Sequence, residues 1–288
     1  MRHVQRELDV SERRACQTLG QPRSTQRYEE RVDAEEHVLV ARMHELVRKH
    51  PRYGYRRIGA LLRREGFRVN IKRVHRLWRR EGLRVPKRQR KRIRLGSSDG
   101  GCIRLRAEHP NHVWSMDFAH DKTESGESLK ILAIVDEYTR EGLALTVAKS
   151  LRAADVIDVL EGLFQERGIP DHVRSDNGPE FIACELREWL GRRDVSPLYI
   201  EPGSPWENGY GEAFIGRVRD EQLDRELYTS ILEAQVVLGD WLVEYNTERP
   251  HGALRQQTPS EYAARFAAAG SAPLRLPQQS ESNEKALI

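Results

Sequence analysis

Little in this chain marks the common secreted, membrane or nucleotide-binding classes. Its 288 residues include only three cysteines, Cys16, Cys102 and Cys184, each single and distant from the others. No CxxC pair occurs, so neither a disulfide framework nor a zinc ribbon is supported. The ten histidines have no paired cysteines nearby and read as surface or helix-packing residues. No segment approaches the roughly 18 consecutive apolar residues of a membrane-spanning helix, and no apolar stretch follows the charged N-terminus as in a secretory leader. Gly-rich phosphate loops and dinucleotide signatures are missing too. The expectation is a soluble protein of the cytoplasm.

The N-terminal third lacks negative charge. Residues 1–94 hold 28 Lys and Arg against 11 Asp and Glu, a net of +17, whereas residues 95–288 hold 20 against 33, a net of −13. The excess peaks from Arg48 to Arg94, where 20 basic residues meet only Glu65 and Glu81. So many like charges repel one another unless a polyanion screens them, and nucleic acid is the leading candidate. A solvated, arginine-rich helical surface is the plainer alternative.

Periodicity supplies the frame for those charges. SERRACQTLG reads as a helix capped by Ser11, and residues 33–50 place Val38, Val40 or Ala41, and Leu46 at near-helical spacing. YGYRRIGALLRREG turns Ile58, Leu61 and Leu62 inward. After a short turn, Asn70 caps IKRVHRLWRREG, with Val74, Leu77 and Trp78 inward. Two short helices around a tight turn, the second covered in Arg and Lys, predict a helix-turn-helix within residues 1–84. Arg56, Arg57, Lys72, Arg73, Arg76, Arg79 and Arg80 are its candidate DNA-binding residues, joined by Lys87 and Arg88 from a basic linker over 85–108.

From about residue 109 the pattern changes. VWSMDFAH, LKILAIVDEYT and GLALTVAK are strand-like, SLRAADVIDVLEGLFQERG is helical with an Ala153, Ile157, Leu160, Phe164 stripe, and DHVRSD and SPLYI are short strands around another helix. YGEAFIGRVRDEQL and ILEAQVVLGDWLVEYN are helices, and TPSEY opens a last one with a capping box from Thr258 to Glu261. The order predicts an α/β domain over 109–268, a mixed five-stranded sheet flanked by helices, and a disordered tail over 269–288.

Three carboxylates stand out. Asp117 interrupts the apolar run VWSMDFA, Asp176 lies in RSDNGPEF, and Glu212 lies in SPWENGYGEAFIGRVRDE, with 58 and then 35 residues between them. Each has a plainer reading: an acid at a sheet edge, a turn residue in Asp-Asn-Gly-Pro, a surface glutamate on a helix. A central strand, the C-terminal end of its neighbour and a helix across the same sheet edge would bring all three together. On the helix, Asn208, Glu212 and Arg219 fall near one face, and Tyr210, Phe214 and Val218 on another.

These motifs, with RYGYRRIGALLRREGFRVNIKRVHRLWRREGL before them and EYNTERPHGALRQQTPSEY after, resemble the second-frame (OrfB) transposases of bacterial insertion sequences, members of the retroviral-integrase superfamily of DDE enzymes. The resemblance spans roughly residues 10–265 and implies a ribonuclease-H-like core. It implies that Asp117, Asp176 and Glu212 bind two Mg²⁺ or Mn²⁺ ions, with Asp117 between them, and that Arg219 and Asn208 lie near the DNA end. The implied reaction is nicking at the element's end followed by strand transfer, without a covalent protein–DNA intermediate. Implied partners are double-stranded DNA at element ends and target, further copies of the chain on DNA, and the upstream-frame (OrfA) product, because no a/d heptad run is present here. The implied setting is the bacterial nucleoid. A non-catalytic DNA-binding regulator, or a domesticated relic, is the alternative.

Overall fold

The computed structural model describes residues 6–7, 9–27, 34–86, 105–200 and 205–269. Lys87, Arg88, most of the expected basic linker and nearly all of the expected tail lie outside those residues.

The N-terminal helices start at the anticipated caps. Helix α1 (Glu12–Thr18) begins at Ser11, whose hydroxyl accepts the Arg14 amide at 3.4 Å, and a short α2 (Arg23–Gln26) follows. Helices α3 (Ala34–Lys49), α4 (Tyr55–Arg64) and α5 (Ile71–Arg80) form one packed unit, with the Asn70 side chain accepting the Lys72 amide at 2.9 Å to start α5. Ile58, Leu61 and Leu62 of α4 meet Val74, Leu77 and Trp78 of α5 in its core. On α3 the buried stripe is Leu39, Met43 and Leu46, whereas Val38, expected inside, is 61% exposed. Steps of four and three residues from Leu39 keep one helix face toward α4 and α5, and Val38 falls off that face.

The second unit is built on a five-stranded sheet: β1 (Val113–Lys122), β2 (Ser128–Asp136), β3 (Gly142–Ala148), β4 (His172–Ser175) and β5 (Ser196–Tyr199), in the order β3-β2-β1-β4-β5. The first three strands pair antiparallel, and β4 and β5 run parallel to β1. Strand alternation divides β1 between two cores. Trp114 and Met116 pack with Leu132 and Ile134 under α6 (Ala153–Arg167) and α8 (Cys184–Gly191), the latter preceded by a short α7 (Pro179–Ile182). Ala119 joins Ile131, Ala133 and Val135 on the opposite face, under α9 (Gly209–Val218) and α10 (Ile231–Thr247). This is the mixed, helix-flanked sheet that the residue pattern predicts. The capping box of α11 (Pro259–Ala269) is present as expected, with Thr258 N donating to Glu261 at 2.8 Å and Glu261 N to Thr258 Oγ1 at 3.2 Å.

One element departs from expectation. The pattern of the helix carrying Glu212 runs on to Leu223, but α9 stops at Val218 and a π-helical turn, Arg219–Leu223, replaces its last part. Wider turns of this kind redirect side chains out of the 3.6-residue register. Asp220 pairs here with Arg52 from the loop between α3 and α4. Glu221, 6% exposed, takes bonds from Arg249 Nη2 at 2.6 Å and Nε at 3.0 Å. His50 to Glu244 at 3.1 Å, Lys49 to Glu248 at 2.9 Å and Arg64 to Glu261 at 2.6 Å complete a seam of ion pairs between the helical unit and the sheet unit.

Candidate active site

Asp117 sits in the middle of β1, opposite Ala133 of β2, on the sheet face that α9 covers. Its Oδ1 accepts the Phe118 amide at 2.8 Å. Burial, and then the nearby charges of Asp176 and Glu212, push its carboxyl up to about 7, with the Phe118 amide and Arg219 acting the other way. Asp117 thus feels two further carboxylates, one from the neighbouring strand end and one from a helix, with the Arg219 guanidinium opposing them.

Asp176 follows β4 by one residue, and β4 lies parallel to β1, so its carboxylate emerges at the C-terminal end of the strand next to Asp117. Its Oδ1 accepts the Gly178 amide at 3.0 Å, forming the expected turn before Pro179 starts α7. A Cβ at position 178 would lie 3.0 Å from that same oxygen, so only glycine leaves the carboxylate undisturbed. Glu212 lies exposed in the first turn of α9. The three acids are not among the groups of described residues whose ligand atoms all lie within 4.8 Å of one another.

Asn208, expected at the DNA, is corrected by its placement. At 2% exposure its Nδ2 donates to the Met116 carbonyl at 3.0 Å, while Oδ1 is buried without a partner. Asn208 precedes α9 directly, so this bond ties the helix of Glu212 to the peptide joining Met116 and Asp117. Arg219 donates from Nη2 to the His120 carbonyl at 3.2 Å, keeping its guanidinium along β1 near the acids. On α9, Phe214 and Val218 are buried as predicted, and Tyr210 lies 3.6 Å beneath the guanidinium of Arg140.

The candidate DNA-binding residues of the helical unit divide into two sets. Arg56, Lys72 and Arg79 are exposed. Arg57 faces inward beside Tyr53, and its pKa is lowered by burial and by Arg249, so it belongs to the seam instead of the outer surface. Arg76 and Arg80 bond to Glu36 of α3, with Arg73 3.6 Å away. Burial works against the Glu36 charge, yet Arg76 and Arg80 hold its carboxyl below the usual range.

A second buried network, not anticipated from the sequence, stands behind the acids. Arg174 of β4, 3% exposed, lies 3.4 Å from Glu137 and donates to the carbonyls of Glu207 at 2.9 Å and Leu105 at 2.8 Å. Ser115 of β1 donates to Glu137 as well. An arginine between Val173 and Ser175 in a four-residue strand was the available signal, since a charge inside a buried strand requires a partner.

Comparison with known proteins gives the family of the chain. Residues 107–205 match an integrase core domain, residues 193–259 match a second integrase core model, and residues 33–92 match an HTH-like domain. The 31.7 kDa protein of insertion element IS407 from Burkholderia multivorans is 37% identical over 273 residues, covering 95% of this chain and 98% of the relative. The chain belongs to the insertion-element transposases with an integrase core. The IS476 protein of Xanthomonas euvesicatoria is 36% identical over 92% of this chain and 76% of its own length. Transposase InsD of the Escherichia coli IS2 elements is 27% identical over 81% of this chain and 80% of its own. Among solved structures, the magnesium complex of the HTLV-2 integrase catalytic core domain covers 55% of this chain and 99% of its own at 19% identity, with a TM-score of 0.45. Membership makes the chain one of the polynucleotidyl transferases. No helix of the described residues is long and apolar enough to cross a membrane.

Proposed function

We propose that this transposase nicks DNA at insertion-element ends and joins the freed 3′ end to target DNA, with Asp117, Asp176 and Glu212 holding two Mg²⁺ or Mn²⁺ ions. The observation that carries the reading is where the three carboxylates stand: Asp117 in mid-β1, Asp176 at the end of the parallel strand beside it, and Glu212 on the helix over the same face, near enough for both charges to help push the Asp117 carboxyl up to about 7. Uncompensated negative charge on hard oxygen donors suits these cations.

Bound divalent ions would activate an attacking oxygen and stabilise charge at phosphorus during in-line displacement. The chain's own part is positional. Asp117 presents its carboxylate from a rigid central strand, Asp176 from the strand end beside it, and Glu212 from a helix that Asn208 fastens to β1. Arg219, beside the acids, is placed to hold a DNA phosphate. In the first step a water oxygen attacks phosphorus and a 3′-hydroxyl leaves. In the second, that 3′-hydroxyl attacks a target phosphodiester, and the target's own 3′-oxygen departs. Neither step needs a serine or tyrosine nucleophile.

In this reading residues 1–84 deliver double-stranded DNA through Arg56, Lys72 and Arg79, and residues 109–268 carry out the chemistry. The chain works as an oligomer on DNA in the nucleoid, with the upstream-frame product as partner. Incubating the purified chain with Mn²⁺ and a pre-cut element end tests it. Joined product is expected. Nicks without joining would mean a ribonuclease-H-type nuclease, and neither product would mean a DNA-binding regulator.

A further inference from the structure

A second set of ligand-type side chains lies at the other end of the sheet. His109 and His112 stand in the turn that leads into β1, and Asp171 directly precedes β4. One ring nitrogen from each histidine and a carboxylate oxygen of Asp171 all lie within 4.8 Å of one another. His109 Nε2 is 3.4 Å from Asp171 Oδ2, and the two imidazoles stack with centroids 4.6 Å apart. Val113 pairs with His172 at this end of the parallel strands. Four residues of β1 at ~3.3 Å each therefore separate the cluster from Asp117.

Both segments are fixed in place. The Asp171 amide donates to Asn111 O at 3.1 Å and the His172 amide to His112 O at 3.0 Å, joining the two loops directly. The Asn111 side chain donates to Arg167 O at 2.8 Å and accepts from Trp114 Nε1 at 3.1 Å. His109 Nδ1 donates to the Pro110 carbonyl at 3.0 Å, which places a proton there and, in the neutral ring, leaves the Nε2 lone pair free for a cation. Metal-binding histidines are oriented by such a bond from their other nitrogen. A third imidazole, His172, lies 5.5 Å from His112, and its Nδ1 is buried without a hydrogen-bond partner.

We propose that His109, His112 and Asp171 bind one divalent transition-metal ion of the Zn²⁺ type, separate from the carboxylate triad. Two imidazoles and a carboxylate form a mixed N/O donor set suited to Zn²⁺, whereas Mg²⁺ demands oxygen. The ion would pin the chain entering β1 to the loop entering β4.

Its binding has a chemical signature. His112 Nδ1 accepts the Glu108 amide at 3.0 Å. A neutral imidazole has one N–H and one lone pair. If Nδ1 takes the metal, the amide is displaced; if Nε2 takes it, the ring proton moves to Nδ1 and faces the amide. Either route releases the Glu108 N–H.

The test is calorimetric titration of Zn²⁺ into the full-length, tag-free chain in excess Mg²⁺, with the Glu108 amide followed by NMR. One Zn²⁺ per chain is expected, with affinity reduced at least about tenfold in His109→Ala/His112→Ala. The Glu108 resonance should shift with Zn²⁺ in the parent chain only. His109 and Asp171 side chains are each 56% exposed, so Asp171→Asn serves as a second, fold-neutral variant that should also weaken binding. Absence of binding, unchanged affinity in both variants, or an unmoved Glu108 amide would overturn the site. Mg²⁺-dependent DNA joining by the same variants should persist, which separates this proposal from the catalytic one.

Discussion

Asp117 is where the fold and the chemistry oppose each other most directly. A carboxyl held at about 7 against an ordinary 3.8 is stabilised by folding in its protonated form. Its contribution to stability is therefore complete below about pH 4 and is lost as pH rises through about 7. Without divalent ions, Asp117→Asn should match the parent near pH 4 and exceed it above pH 7 by on the order of 2 kcal/mol, after allowance for solvent screening. Urea denaturation across that range checks this, and parallel stability profiles would contradict it. The acids themselves were legible, because their apolar, turn and helix settings are local features of the chain. The direction of Asn208 and Arg57 was not. Both lie on elements with polar surroundings in sequence, and only the packing of α9 on β1 and of Tyr53 on the seam turns them inward.

At the scale of elements, strands, caps and helix cores followed from periodicity and capping chemistry, down to Ser11, Asn70 and Thr258. The π-helical turn after α9 did not, because GRVRDEQL has an ordinary helical pattern and the deviation is set by tertiary partners. Asp220 reaches Arg52 and Glu221 reaches Arg249, each far away in sequence. Arg249 is 2% exposed and stacks near Tyr53 and Tyr245, so removing it takes from the buried Glu221 carboxylate the guanidinium that donates to both of its oxygens. Breaking one side of such a pair costs about 3–5 kcal/mol. Arg249→Met should lower unfolding stability by that order, and Arg249→Met with Glu221→Leu should recover a large part of it. A double variant no more stable than the single one would show that the pair is not the source.

For the whole molecule, two units of opposite net charge meet along a seam of ion pairs. The basic unit presents Arg56, Lys72 and Arg79 outward while Glu36 engages Arg76 and Arg80. DNA affinity should fall steeply with salt. In Lys72→Ala/Arg79→Ala the slope of log K against log salt should be shallower by about 0.9 for each DNA phosphate that is no longer neutralised. A flat salt dependence in the parent chain would remove the helical unit from DNA binding. The asymmetry of charge was plain in the sequence, but the seam was not, since it depends on which acids face which arginines after folding.

The most direct measurement is strand transfer by purified Asp117→Asn, Asp176→Asn and Glu212→Gln chains, supplied with Mg²⁺ or Mn²⁺ and a pre-cut element end, alongside a DNA-binding assay. Each variant is predicted to bind DNA as the parent does and to join none of it. Joined product from any one of the three would contradict the assignment of the carboxylate triad as the catalytic centre.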